Sequence, residues 1–221
     1  MKGNVLIIDA ATDDGSVAIA RDGAIAAALE FGSRDASGAR TEALAPAVER
    51  VIAQAGIGPG DLCAVVCGRG PGGFTSLRSA AALSKGICAA GNIPLYAVSS
   101  LAILSWSADL RAGRYVAAIS AGRNEWFAAP FTVGGDGARV VGEEYLVGTD
   151  ELRECARAAN TALVGAALDI DTRARAASVA AHLPAVQETG YVDLDSWEPA
   201  YGRLAEAQVR WEATHGRKLA V

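Results

Sequence analysis

Histidine is nearly absent from this chain. His182 and His215 are the only two, so no HxxxH or HExxH pair exists, and a histidine-ligated zinc or iron site is excluded as a local motif. A G-x-S-x-G nucleophile elbow is also missing. Aromatic residues are scarce, with four Trp, five Tyr and four Phe. Much of the 51% hydrophobic fraction is therefore alanine, which favours close helix packing over a core of large side chains. No apolar run approaches the roughly 20 residues of a membrane span. The opening MKGNVLIIDAATDDG has one lysine and an apolar run broken by Asp9, too short for the apolar region of a signal peptide. Basic charge is in deficit as well. The 20 Lys+Arg against 25 Asp+Glu give a net charge of −5, without the basic footprint of an autonomous nucleic-acid binder. If the chain works on DNA or RNA, something else holds the polymer.

Four cysteines without secretory features indicate reduced thiols and a cytoplasmic location. Cys63 and Cys67, four apart on an apolar strand, are expected on one face as small buried hydrophobes, and no further ligands lie near them. Cys88 and Cys155, on helix-like segments, are read the same way.

What is present is an order of elements. At 221 residues the chain is long enough to bury roughly 70% of its unfolded surface. NVLIIDA, SVAIAR and AIAAALEF read as three strands of an antiparallel meander over residues 4 to 31. Asp14-Gly15 and Asp22-Gly23 are placed at its turns. After the polar stretch 32–40, TEALAPAVERVIAQAG has helical apolar spacing and ends at Gly56. DLCAVVC, a glycine-rich loop, a helix over about 75 to 90, the strand PLYAV and a helix capped by Ser99 follow. Residues 114 to 189 repeat the order: strands YVAAISA, EWFAAPFTV and RVVGEEYLV, a helix near 150 to 159, the strand TALVGAAL and a helix near 173 to 188. Two β-β-β-α-β-α units side by side indicate an α/β protein of duplicated ribonuclease-H-like lobes with mixed sheets flanked by helices, divided as residues 1–111 and 112–221. Irregular α+β is the alternative.

The most informative stretch is GRGPGGFTSLRSAAALSKG, residues 68 to 86. Glycines let backbone approach a ligand, and a helix N-terminus offers unpaired N–H groups at the positive end of a dipole. Phosphate binding is one reading, and a sharp strand-to-helix turn is the other. The P-loop spacing is absent. Candidate phosphate or nucleotide contacts are Asp9, Thr12, Gly70, Gly72, Gly73 and Thr75. Asp9 ends the first strand, where an acidic residue can face a metal–phosphate group; equally, aspartate there bonds backbone two residues on. The corresponding turn of the second half, Ser120-Ala121-Gly122, has no carboxylate, so no catalytic residue and no metal ligand set is assigned. The helix after the loop is apolar on two sides. Ala80, Leu83, Ile87 and Ala90 suit the sheet, while Leu77, Ala81, Ser84 and Cys88 make a second, smaller stripe. A helix apolar on two faces is buried twice, by the chain's own helices or by a partner.

These residues resemble the TsaB (YeaZ) proteins. The opening VLIIDAATDDGSVAI, the segment GPGGFTSLRSAAALSKG, IPLYAVSSLAIL, Arg123-Asn124-Glu125-Trp126-Phe127 and the closing Pro199-Ala200-Tyr201-Gly202-Arg203 follow that family's motifs in order. The resemblance implies an actin-like fold of two ribonuclease-H-like lobes. It implies a dimerisation subunit, not itself catalytic, in forming N6-threonylcarbamoyladenosine at position 37 of tRNA. The partners implied are a TsaD-like catalytic subunit and a TsaE-like ATPase, with tRNA met through the complex. ATP or ADP and magnesium are implied only at the partner or a shared interface. By this analogy the helices at 41 to 55 and 75 to 90 face the partner, through Leu44, Ala47, Val48, Val51, Leu77, Ala81, Ser84 and Cys88. The sequence departs from the family's pattern at Gly73, Ser76, Arg40-Thr41 and Ser120-Ala121-Gly122. Two other readings stand beside it: an ATP-dependent enzyme of the actin/sugar-kinase type using Asp9 and the loop 68–75, and a homodimer through the same helix face.

Overall fold

A computed structural model describes residues 1–12, 14–32, 43–135 and 137–202. His215, Arg203 and Arg40-Thr41 lie outside these residues. The first sheet contains β1 (Asn4–Asp9), β2 (Gly15–Arg21), β3 (Ala24–Phe31), β4 (Leu62–Gly68) and β5 (Leu95–Val98), in the order β3-β2-β1-β4-β5. β1, β2 and β3 are antiparallel, and β4 and β5 run parallel to β1. This is the arrangement expected of a ribonuclease-H-like unit. Asp22 and Gly23 have φ of 53° and 85°, the left-handed pair that a two-residue hairpin needs. Asp14-Gly15 does not make such a turn, because Asp9 pairs with Ser16 and Gly15 already belongs to β2. Gly15 is small for another reason: a Cβ there would meet the Phe31 ring.

The central strand β1 divides its side chains with a period of two. Leu6 and Ile8 enter one cluster with α1 (Leu44–Gln54) and α2 (Phe74–Gly91). Val5 and Ile7 enter another that continues into the second lobe through Ala117, Ile119, Ala129 and Phe131. The expected common face for Cys63 and Cys67 fails. A bulge in β4 opposite Asn4 and Val5 shifts the alternation, so Cys67 sits in the helix-side cluster and Cys63 against the other. Cys155 is a second correction. It is exposed, because Leu152 and Ala156 take the inward positions of α4 (Thr149–Ala158).

The second sheet has the order β10-β6-β7-β8, with β9 also on β7. Its strands are β6 (Gly113–Gly122), β7 (Glu125–Gly134), β8 (Gly137–Val140), β9 (Tyr145–Gly148) and β10 (Ala162–Val164). The single strand expected over RVVGEEYLV is thus two. Pro130 in β7 accepts from the Val141 N–H at 2.9 Å but has no N–H to return, so the ladder breaks there. At the break the chain passes so close that a Cβ on Gly142 would lie 2.6 Å from the Pro130 ring. The residues between, Glu143 and Glu144, loop out.

α3 (Ser100–Trp106) joins the lobes, its first turn capped by Ser99. The expected helix over 173 to 188 is a 3₁₀ helix, Ala176–His182, followed by α5 (Leu183–Glu188) with Pro184 in its first turn. This segment packs on β1, β2 and β3 of the first sheet, and His182 stacks on Trp106 with ring centroids 4.3 Å apart. The chain then runs on along the first lobe, the Val192 N–H donating to the Leu95 carbonyl at 2.8 Å.

Candidate functional site: glycine-rich loop and interlobe cleft

β1 and β4 end side by side, which places Asp9, the loop 69–73 and the start of α2 together. Asp9 is almost wholly buried. It accepts from the Ser100 hydroxyl at 2.6 Å and from the Ala11 N–H at 3.4 Å. Gly68 leaves room for it, since a Cβ there would strike its Oδ1. Burial raises the pKa of Asp9 above the ordinary value, and the Ser100 bond only partly opposes this.

The loop folds onto its own chain. Gly70, with φ of +94°, lies under the strap that follows α5: a Cβ there would be 2.5 Å from the Ala200 carbonyl oxygen. At Gly72 a Cβ would run into the Ala11 backbone, and the Gly73 N–H donates to the Ala11 carbonyl at 2.8 Å. Thr12 spends its hydroxyl on the Asp14 carbonyl at 2.7 Å. Thr75 is exposed on the first turn of α2. Of the six candidate phosphate contacts, only Thr12 and Gly73 line the cleft between the lobes. Asp9, Gly70 and Gly72 are closed off by the protein's own atoms, so their glycine and carboxylate chemistry serves the fold. The cleft holds about 410 Å³ and is lined also by Ala11, Asp14, Ser120, Gly122 and Thr172. Arg173, on the same lining, pairs with Asp14 at 3.3 Å. These residues do not fit a magnesium–nucleotide group in the position the actin-like architecture offers, because the carboxylate that would face it is sealed beneath Ser100. Among the described residues no three His, Cys, Asp or Glu side chains converge.

The helix faces also differ from expectation. Ala47, Val48 and Val51 of α1, and Leu77, Ala81, Ser84 and Cys88 of α2, are buried within the chain; Leu44 is half-buried. The small stripe faces the sheet because Ala80, Ala81 and Ser84 let α2 lie close to β4. Burial pushes the thiols of Cys67 and Cys88 up to about 12 and about 11, so both remain small neutral hydrophobes. Leu83 and Ile87 sit half-buried at the rim of the cluster. Along the outward side of α2 runs a row of exposed small residues, Thr75, Ser79, Ala82, Gly86, Ala89 and Ala90, with exposed Phe74 and Arg78 beside its N-terminal end, the Arg78 guanidinium lying over the Phe74 ring. Helical phase could have found this stripe, had the small residues been assigned to the sheet and the remainder to solvent.

A family model described as "TsaD: tRNA N6-adenosine threonylcarbamoyltransferase" matches residues 34–187. The chain is 32% identical over 129 residues to the tRNA threonylcarbamoyladenosine biosynthesis protein TsaB of Escherichia coli strain K12, covering 58% of this chain and 54% of that one. It is 31% identical over 123 residues to the protein of the same description in Haemophilus influenzae, covering 55% and 50%. The chain spans about half the length of the curated relatives it matches. Two solved structures from Pseudomonas aeruginosa share the fold. One, described as an uncharacterized protein with similarity to peptidase YEAZ, has a TM-score of 0.72 at 24% identity, covering 92% of this chain and 100% of that one. YeaZ itself has a TM-score of 0.71 at 25% identity, covering 91% and 100%.

Proposed function

The chain belongs to the family described as TsaD: tRNA N6-adenosine threonylcarbamoyltransferase, among its TsaB (YeaZ) proteins, and from that premise we propose that it is a non-catalytic dimerisation subunit. It supports a TsaD-like catalytic partner in forming N6-threonylcarbamoyladenosine at position 37 of tRNA. One observation carries this reading over the actin/sugar-kinase alternative: the acid that would serve a nucleotide is sealed by Ser100, while the helix beside it shows solvent a row of small residues from Ser79 to Ala90. In this reading the first lobe, residues 1–111, presents α2 to the partner through Ser79, Ala82, Gly86 and Ala89. Small side chains allow the closest approach of two helices. The second lobe, entered at residue 112, contributes the second sheet, and the described segment after it packs back on the first lobe. The TsaE-like ATPase and tRNA join through the partner, and any nucleotide is held by the partner or at the shared surface. With net charge −5, the chain leaves most of the polymer's phosphates to others. A homodimer on the same face is the form expected of the isolated chain. The setting is cytoplasmic. No helix among the described residues is long and apolar enough to cross a membrane.

The test is a reconstituted threonylcarbamoyl-transfer assay on tRNA with defined TsaD-like and TsaE-like proteins, run with and without this chain. Transfer that depends on the chain, and co-purification of the chain with the TsaD-like protein, are expected. Tight Mg-ATP binding by the isolated chain, with turnover lost in Asp9→Ala, would establish the kinase-type alternative instead.

A further inference from the structure

The segment that follows α5 does more than complete the core. The Lys85 ammonium, reaching from α2, donates to the Trp197 carbonyl at 2.7 Å. The Ala200 N–H donates to the Arg69 carbonyl at 2.7 Å, and the Ala200 oxygen caps Gly70. The Tyr201 ring lies on Phe74, at the start of α2, with centroids 4.6 Å apart. Gly202 is so close to both lobes that a Cβ there would lie 2.5 Å from the Phe127 ring of β7 and 2.9 Å from Pro71. Arg69 is where these contacts meet the second lobe. Its backbone N–H holds the Val98 carbonyl at 2.7 Å, and its guanidinium pairs at 2.8 Å with Glu144. The same Glu144 carboxylate accepts from the Ser99 hydroxyl at 2.5 Å. Glu144 reaches Arg69 because Pro130 splits the edge ladder and lets 143–144 loop out.

We propose that residues 197–202 are an intramolecular latch, which closes the glycine-rich loop and, through Arg69 and Glu144, holds the two lobes together, so that loop and cleft open only jointly. The strap supplies the hydrogen bond, the oxygen cap and the ring contact that keep residues 69–74 in place. Arg69 cannot leave that position without releasing Glu144, and Glu144 cannot leave without freeing Ser99 at the start of α3. The latch belongs to the chain itself and does not depend on which partner the α2 face meets.

Hydrogen exchange on the full chain tests it. Tyr201→Ala removes the ring contact, and Glu144→Gln keeps the shape while removing the charge. In Tyr201→Ala the amides of 69–76 and of 143–147 are expected to exchange about tenfold faster together, as in one cooperative opening. The β1 and β4 amides keep their wild-type rates. Glu144→Gln should speed the same two segments and the Ala200 amide. Tyr191→Ala, altering a residue that is 72% exposed, should change none of them. Acceleration of 69–76 without 143–147, or an Ala200 amide unmoved by Glu144→Gln, overturns the latch. Should Tyr201→Ala unfold the β1 and β4 core as well, the Ala200 amide in Glu144→Gln decides the matter alone.

Discussion

Gly86 separates the demands of folding from those of association. It lies inside α2, more than a turn from either end, and a Cβ built there meets nothing within 4 Å. Glycine in a helix interior costs about 0.8–1.0 kcal/mol relative to alanine. With no steric penalty to offset that gain, Gly86→Ala should stabilise the isolated chain by about 1 kcal/mol. In a protein of this size that raises Tm by roughly 2–4 °C, read by differential scanning calorimetry. The fold therefore gains nothing from the glycine, and a helix crossing closely over Ser79, Ala82 and Gly86 does. Interaxial distances fall to about 8 Å only when the side chains at the contact are small. Gly86→Leu places a branched side chain on that line while keeping a strong helix former, so the isolated variant should melt no lower than wild type. Its pairing with the TsaD-like partner should weaken by at least about 2 kcal/mol, the scale of a central interface position, or roughly 30-fold in Kd. Calorimetric titration and sedimentation velocity measure the loss. Undiminished pairing of Gly86→Leu refutes the assignment of this face, and a lowered Tm in Gly86→Ala refutes the claim that the site is open.

Two further outcomes follow from the glycine-rich loop and its buried acid. The folded-state pKa of Asp9 is raised, mainly by burial, so its contribution to stability is full below the unfolded value of about 3.9. That contribution is lost as the pH rises through the folded value. Asp9→Asn keeps an oxygen for Ser100 and should be more stable than wild type at neutral pH, the gap closing toward pH 4; urea midpoints across that range check it, and a gap that widens on acidification would contradict the assignment. Gly72→Ala drives a methyl group into the Ala11 backbone and should cost about 3 kcal/mol as an overpacked site. A denaturant midpoint equal to wild type would mean that the loop is not pinned as described.

The sequence by itself determined most of the order of elements, the α/β character and the resemblance to the family, though not the split of RVVGEEYLV into two strands or the 3₁₀ turn before α5. Hydrophobic period, turn residues and ordered motifs are local properties, and each element's neighbours in the chain suffice to express them. It could not settle which way the faces of α2 point. Ala81, Ser84 and Cys88 are as small as the exposed Ser79, Ala82, Gly86 and Ala89, and only the closeness of β4 selects them for burial. The parity of Cys63 was equally out of reach, because a bulge arises from pairing with β1 and leaves no mark in DLCAVVC. Nor could the fate of the glycines be read from their spacing. Positive φ at Gly70 suits a phosphate or a peptide carbonyl alike, and the oxygen that arrives there belongs to Ala200, 130 residues onward. Long-range approach decided these points. A glycine, a bulge or a small-residue face declares room for a neighbour, and only the folded chain shows which neighbour fills it.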